Sequence, residues 1–249
     1  MKVSRGVETL ELTLNMMGFN TLIYPTLIWD DETTILVDAG LPTSLPEIQK
    51  SMDQAGIPLS KLNKVILTHQ DMDHIGGLPE LMKLTDYRLE VITHEEEKPY
   101  IQGDRPLIRM NPEKVAKMMA DLPESQRIQM QKMIKEAKPY EKVNVDKTVK
   151  DGESLPYCGG ITVIHTPGHT PGHICLYLNQ IKALITGDEL EVRDGQLCGP
   201  RPGLSVDEAM AYSSIKKLTQ YDIETVICYH GGVYRHNANQ RLSEIAKEL

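Results

Sequence analysis

The segment Thr68-His69-Gln70-Asp71-Met72-Asp73-His74 sets four metal-capable side chains within six positions. Two imidazoles and two carboxylates that close together repel or stay unsatisfied unless a cation sits among them. The run follows Lys64-Val65-Ile66-Leu67, a β-branched apolar stretch that reads as a buried strand. It precedes Ile75-Gly76-Gly77-Leu78-Pro79, where glycines permit a tight turn into a helix. Ligand-type residues at a strand-to-helix turn describe a metal site.

Three further segments offer ligand candidates, each just past a strand pattern. Ile161-Thr162-Val163-Ile164 leads to His165-Thr166-Pro167-Gly168-His169-Thr170, Ala183-Leu184-Ile185-Thr186 to Gly187-Asp188, and Val226-Ile227-Cys228-Tyr229 to His230-Gly231-Gly232. Loops after strands are where rigid scaffolds present functional groups.

The elements that must position these residues alternate along the chain. Strands are expected over Thr9 to Leu14, Thr21 to Trp29, Thr33 to Val37, Val65 to Thr68 and Leu89 to Thr93. Ser44 with Glu47 reads as a capping box for a helix ending at Gly56, and Gly76 to Leu84 as a second helix. Residues 95–140 read as a helical insertion. Asn111-Pro112 opens one helix through Val115, Met118, Met119 and Leu122, and a second runs from Glu124 to Lys138 with Met130, Met133, Ile134 and Ala137 on one face. That methionine stripe reads first as core packing and second as an adaptable lid.

Strands resume at Gly160 to His165, Ile174 to Tyr177, Lys182 to Thr186 and Thr225 to Cys228. Ser205 and Glu208 read as a capping box for a helix to Leu218, and a helix from Asn237 closes the chain. Two groups of strands with interspersed helices point to two facing sheets with helices outside.

With 249 residues and no Gly/Ser-rich or Pro-rich linker, the whole chain, 1–249, is expected to be one domain. A net charge of −8 argues against nucleic acid as a partner, because phosphate contacts need clustered Lys and Arg. No stretch approaches the apolar length of a membrane span, and the start, Met1-Lys2-Val3-Ser4-Arg5-Gly6, lacks the apolar region of a signal peptide. Cytoplasmic location is therefore the default. The four cysteines (Cys158, Cys175, Cys198, Cys228) are scattered and expected to be free thiols.

The order His69, Asp71, Asp73, His74, His169, Asp188, His230, set within Leu36-Val37-Asp38-Ala39-Gly40, THQDMDHIGG, HTPGHTPGH and TGD, closely resembles the metallo-β-lactamase fold superfamily. The resemblance implies an αββα four-layer sandwich with a two-metal site at one edge of the facing sheets. It implies that His69, Asp71 and His169 hold one metal, that Asp73, His74 and His230 hold the other, and that Asp188 bridges them. Asp38 takes the place of the superfamily's structural Asp, behind a ligand loop, with a turn-capping role as the plain alternative. His94, His165, His173 and His236 read as structural or solvated, and Tyr229 as core. Tyr100, Arg105 and Arg109 fall in the insertion, where substrate contacts belong, but taken singly they read as solvated side chains.

One residue departs from the family pattern: the common HxHxDH is here HxDxDH, with Asp71 in place of a histidine. Flavodiiron proteins place a carboxylate there and bind iron, so the change is compatible with metal. Two divalent cations, three aspartates and one hydroxide sum to a neutral shell, a weaker Lewis acid than the pattern with histidine. The harder oxygen ligand moves the preference from zinc, the family default, towards manganese or iron.

The implied activity is that of a dinuclear metal-dependent hydrolase. A metal-bridging hydroxide would attack an ester, lactone or thioester, with Asp188 bridging the ions and Asp73 moving a proton. The pattern resembles small bacterial lactonase-like and glyoxalase II-like members, with a small-molecule substrate and a monomeric or homodimeric state. The alternatives are a non-haem iron redox enzyme of flavodiiron or persulfide dioxygenase type, and a phosphodiesterase or nuclease.

Overall fold

The computed structural model describes residues 1–16, 19–86, 88–111, 115–116, 119–120, 122–136 and 140–249. Its strands in chain order begin with β1 (Lys2–Ser4), β2 (Val7–Thr9), β3 (Leu12–Met16), β4 (Phe19–Ile23), β5 (Thr26–Trp29) and β6 (Thr34–Val37). Helix α1 (Leu45–Gln54), β7 (Lys64–Ile66), α2 (Met72–Ile75), α3 (Leu78–Leu84), β8 (Glu90–His94) and α4 (Lys98–Ile101) follow. Then come α5 (Glu124–Glu136), β9 (Lys147–Val149), β10 (Ser154–Leu155), β11 (Ile161–His165), β12 (Ile174–Leu178) and β13 (Ala183–Ile185). The chain closes with β14 (Glu191–Arg193), β15 (Gln196–Cys198), α6 (Glu208–Leu218), β16 (Thr225–Cys228), β17 (Gly232–Tyr234) and α7 (Ala238–Glu248).

Among the described residues, one sheet runs β1-β2-β5-β6-β7-β8-β9 and a second runs β10-β11-β12-β13-β16-β17. Their strands are apolar on both faces, so alternate residues serve different layers. Ile35, Val37, Ile66 and Ile92 of the first sheet meet Val163, Leu176, Ile185 and Ile227 of the second in a shared core. Leu36, Val65 and Val91 face the other way, onto Ile48, Met52, Leu78 and Leu81 of α1 and α3. Ile164, Leu184 and Val226 pack outward on Ile215, Leu218, Leu242 and Ile245 of α6 and α7. The result is the expected αββα sandwich.

Strand direction gathers the loops. β6, β7, β8 and β9 are mutually parallel, and β13 is parallel to β16. β11 and β13 are both antiparallel to β12, so β11, β13 and β16 share a direction. Their C-terminal loops therefore emerge together, and the sheets are tied at that edge where Ile174 N donates to Thr68 O at 3.1 Å.

Several local expectations need correcting. Thr21 to Trp29 is two strands, broken at Tyr24-Pro25, and Thr9 to Leu14 spans the end of β2 and the start of β3. Proline cannot donate to a ladder; instead its carbonyl accepts from Leu10 N, while Tyr24 N donates to Tyr229 O. Neither capping box forms. Ser44 Oγ accepts from Leu41 N and Glu47 accepts from Thr13 N, so the two side chains tie α1 to the preceding loop and to β3. On α6 the cap is Asp207, which accepts from Met210 N at 2.9 Å, while Glu208 accepts from Gly203 N.

The helix expected from Gly76 to Leu84 is α3, starting at Leu78, and a further short helix, α2, begins at Met72 inside the ligand run. In the insertion lie α4 and α5, with a 3-10 turn at Ile108–Met110 between them, and the described residues 115–116 and 119–120 are helical as well. The helix expected from Asn111-Pro112 to Leu122 lies in large part outside the described residues, as do Ala137 and Lys138 and the side chains of Met130, Met133 and Ile134. All four cysteines are free, with Cys175 and Cys228 buried. No described helix is long and apolar enough to cross a membrane.

Candidate metal centre

The run after β7 changes conformation in its middle, and that divides its ligands. Asp71 is extended, with φ −68° and ψ 146°, at the N-cap position of the short helix α2. In extended chain His69 and Asp71 fall on one face, whereas Asp73 and His74 lie together on the helical turn. Two subsites result. His69, Asp71, His169 and Asp188 offer ligand atoms within 4.8 Å of one another, and so do Asp73, His74 and His230. All seven sequence-derived candidates are thus brought together.

Asp188 lies between the two groups. Its Oδ2 is 3.4 Å from His169 Nε2 and 4.0 Å from His69 Nε2. Its Oδ1 is 3.1 Å from His74 Nε2 and 3.4 Å from His230 Nε2. Asp71 Oδ2 is 3.1 Å from His169 Nε2 and 3.5 Å from His69 Nε2, and Asp73 Oδ2 is 3.4 Å from His230 Nε2. His69, His74 and His169 are buried, while about a quarter of the His230 side chain is exposed, so the second subsite faces the opening.

Buried residues behind the ligands aim them. His74 Nδ1 lies 2.9 Å from Asp38 Oδ2, and Asp38 Oδ1 accepts from Thr68 N at 2.8 Å. Thr68 Oγ1 donates to Asp38 and lies 3.0 Å from His69 Nδ1. With acceptors behind Nδ1, both imidazoles hold a proton there and turn Nε2 inward as the atom that would ligate. Asp38 is therefore a support for two ligands, more than a turn cap. Tyr229 stacks on His74 with ring centroids 3.8 Å apart, and its hydroxyl donates to Asp73 O.

His173 is buried but is no ligand candidate: its Nε2 accepts from Asp188 N at 3.1 Å and its Nδ1 lies 2.8 Å from Thr166 Oγ1. Burial and the neighbouring histidines push it well below the usual imidazole range, which keeps it neutral for that acceptor role. Gly187 makes the approach possible, since at φ +49° a Cβ there would come within 2.7 Å of His173 Nε2. His94 and His165 stack on each other away from the site, and His236 is exposed.

The donor set fits metal. His69 Nε2, His74 Nε2 and Asp188 Oδ1 are buried without a hydrogen bond, although Asp188 Oδ1 and His74 Nε2 are 3.1 Å apart, off the direction either needs. Buried polar atoms that converge without bonding one another are satisfied by a cation at their centre. The electrostatics agree. Burial opposes ionisation of Asp71, but the neighbouring His169 and His69 imidazoles outweigh it and hold the carboxyl well below the usual range. Asp188 is likewise held well below, against burial, by the charges of His230 and His74.

The family model of the metallo-beta-lactamase superfamily matches residues 21–230. This chain belongs to the metallo-beta-lactamase superfamily. Among superfamily members, it is 28% identical over 231 residues to the probable metallo-hydrolase YflN of Bacillus subtilis, covering 86% of this chain and 82% of that one. It is 25% identical over 238 residues to a hydroxyacylglutathione hydrolase of Brucella ovis, covering 91% and 72%. The metallo-beta-lactamase family protein TTHA1429 of Thermus thermophilus shares the fold, with a TM-score of 0.73 at 20% identity over 99% of this chain and 80% of that one.

Three residues that reach or border this site were not recognised from sequence as part of it. Arg109, read as solvated, instead reaches the first subsite: its Nε donates to Asp71 Oδ2, and its Nη2 lies 3.1 Å from His169 Nε2 and donates to Leu204 O. Gln70 and Glu97 are both buried and hold it there. Gln70 Nε2 donates to Glu97 Oε2 at 2.9 Å, Gln70 Oε1 accepts from Ile108 N at 2.8 Å, and Glu97 Oε1 accepts from Gly172 N at 2.7 Å. Gln70 sits inside the ligand run, which was the available signal; Glu97 carries none. A cavity of about 590 Å³, lined by Arg5, Trp29, Asp30, Cys158 and Gln180, is at the far strand ends and holds none of the ligand candidates.

Proposed function

We propose that this superfamily member is a metal-dependent hydrolase of a small ester, lactone or thioester. In this reading His69, Asp71 and His169 hold one divalent ion, Asp73, His74 and His230 hold a second, and Asp188 is shared. The observation that carries it is the division of the Asp188 carboxylate, with Oδ2 turned to one subsite and Oδ1 to the other. Bound divalent ions would supply Lewis-acid activation of water and of a substrate carbonyl. Zinc is the first choice, and manganese or iron suit the oxygen-rich first subsite.

The chain's own residues do the rest. Asp38 and Thr68 fix the imidazoles of His74 and His69, so the ligands need no reorganisation when substrate arrives. The Asp73 carboxylate lies on the open side, partly exposed and 3.4 Å from His230, where it can carry a proton to the leaving group. An acidic protein, with a net charge of −8, suits a neutral substrate better than a polyanion. The Brucella relative's name, hydroxyacylglutathione hydrolase, supports cleavage of an acyl bond.

The test is a hydrolase panel of lactones, thioesters, aryl esters and phosphodiesters, run after chelation and after reloading with zinc, manganese or iron. Metal-restored turnover of a lactone, thioester or ester is expected. Turnover of phosphodiesters alone, or turnover unaffected by chelation, would overturn the proposal.

A further inference from the structure

Resting on that two-subsite reading, we propose that Arg109 is a built-in cation of the first subsite, competing with a metal ion for Asp71 and His169. Loading is then ordered: the second subsite fills first and tightly, and the first fills only as Arg109 is displaced.

The chemistry of His169 Nε2 carries the argument. A neutral imidazole has one acceptor lone pair, on whichever nitrogen lacks the proton. Arginine can only donate, so where Nε2 carries the lone pair Nη2 at 3.1 Å takes it, and where Nε2 carries the proton it donates to Asp71 Oδ2 at 3.1 Å and turns no lone pair to a metal. A metal ligated by His169 Nε2 needs the same one. The two partners are mutually exclusive, whatever happens at the carboxylate. At Asp71 the guanidinium Nε also lies on Oδ2, the oxygen that faces His69 and His169.

Arg109 is held for this position. Gln70, from the ligand run itself, accepts from Ile108 N, and Leu204 O accepts from Arg109 Nη2 beside the His169 bond. The side chain is pinned from both flanks and about a third exposed. The second subsite differs. Among the described ion pairs, Asp73 and Asp188 meet only histidines, with no Lys or Arg in reach. A histidine in place of Asp71 would offer a guanidinium no carboxylate, so the unusual ligand and the arginine belong together.

The experiment titrates chelated protein with zinc or cobalt(II), reading heat and, for cobalt, visible absorbance. Wild type should take up one ion tightly and a second more weakly. Arg109→Ala should tighten the second step by roughly ten- to a hundredfold, as expected for removing one or two charged hydrogen bonds. The first step should stay within about twofold, as should both steps in the Arg105→Ala control, since Arg105 lies over Tyr100 and not in the site. Arg109→Met, neutral at similar length, serves if the alanine variant does not fold. Equal affinity for two ions in wild type, or an unchanged second step in both Arg109 variants, overturns the proposal and leaves the two-ion reading standing. Failure to bind any ion overturns both.

Discussion

His74 Nδ1 lies 2.9 Å from Asp38 Oδ2, so an imidazole of the metal centre is gripped from behind by a buried carboxylate. Asp38 adopts φ 63°, a conformation rare outside glycine, and so turns its side chain under the ligand run directly after β6. Asp38→Asn retains the shape but removes the charge. Metal affinity at the second subsite should fall by roughly 10–100-fold, the usual cost of losing such a support. Competition against a chromophoric chelator measures it, and an unchanged affinity would show that packing alone orients His74.

Chelation should reveal a pH dependence that metal suppresses. Burial disfavours charge on His74, yet Asp188, Asp38 and Asp73 outweigh it and hold the imidazole well above its ordinary range. His230 is pushed up to about 10, against burial, by Asp188 and Asp73. A raised folded value stabilises fully below the ordinary value of 6.5 and loses that contribution as pH climbs through about 10. Asp71 and Asp188, held low, contribute above the ordinary 3.8 and lose it in acid. The buried His173, held neutral, works the other way and loses its contribution as pH falls below 6.5, so chelated protein should have its highest Tm near pH 6.5 and lose it both in acid and towards pH 10. Differential scanning fluorimetry checks this; a flat profile for the chelated form would count against it.

Metal loading near pH 7 should release protons. His74 and His230 are charged in the chelated site but must be neutral to ligate. Titration calorimetry in buffers of different ionisation enthalpy should show an apparent heat that varies with buffer. A buffer-independent heat would mean that the ion binds elsewhere.

Asp71→His should move the metal content of protein expressed in balanced media towards zinc, because imidazole replaces a hard carboxylate oxygen. Metal analysis of the purified protein gives the ratio. Tight zinc at both subsites of wild type, without iron or manganese, would show that Asp71 does not set the preference.

Gln70→Ala should destabilise the fold and loosen the insertion. It removes the donor to Glu97 and the acceptor of Ile108 N, leaving buried polar groups without partners. The cost is about 1–3 kcal/mol per unsatisfied group, read from urea unfolding. Loss of stability without loss of metal affinity would separate this network from the ligands it borders.

The αββα layering was legible because strands buried on two faces leave their mark locally. Ile35, Leu36 and Val37 are all apolar, and alternation alone sends Leu36 to the helices and its neighbours to the other sheet. Boundaries were less legible. Ser44 and Ser205 match a capping pattern by spacing, but Ser44 Oγ accepts from Leu41 N, and Asp207 takes the capping role expected of Ser205. Local pattern proposes partners, and the nearest geometrically apt donor decides.

The sequence alone named the ligand candidates, since His69, Asp71, Asp73, His74, His169, Asp188 and His230 stand out by type and by their place after strands. Tertiary structure decided how they divide. Only the meeting of two sheet edges sets the oxygens of Asp188 towards different histidines. Only the folded insertion brings Arg109 onto Asp71, 38 residues away in sequence. Side-chain chemistry is a property of each residue and can be read one at a time. Competition for a lone pair is a property of distance, and distance across 38 residues exists only in the fold.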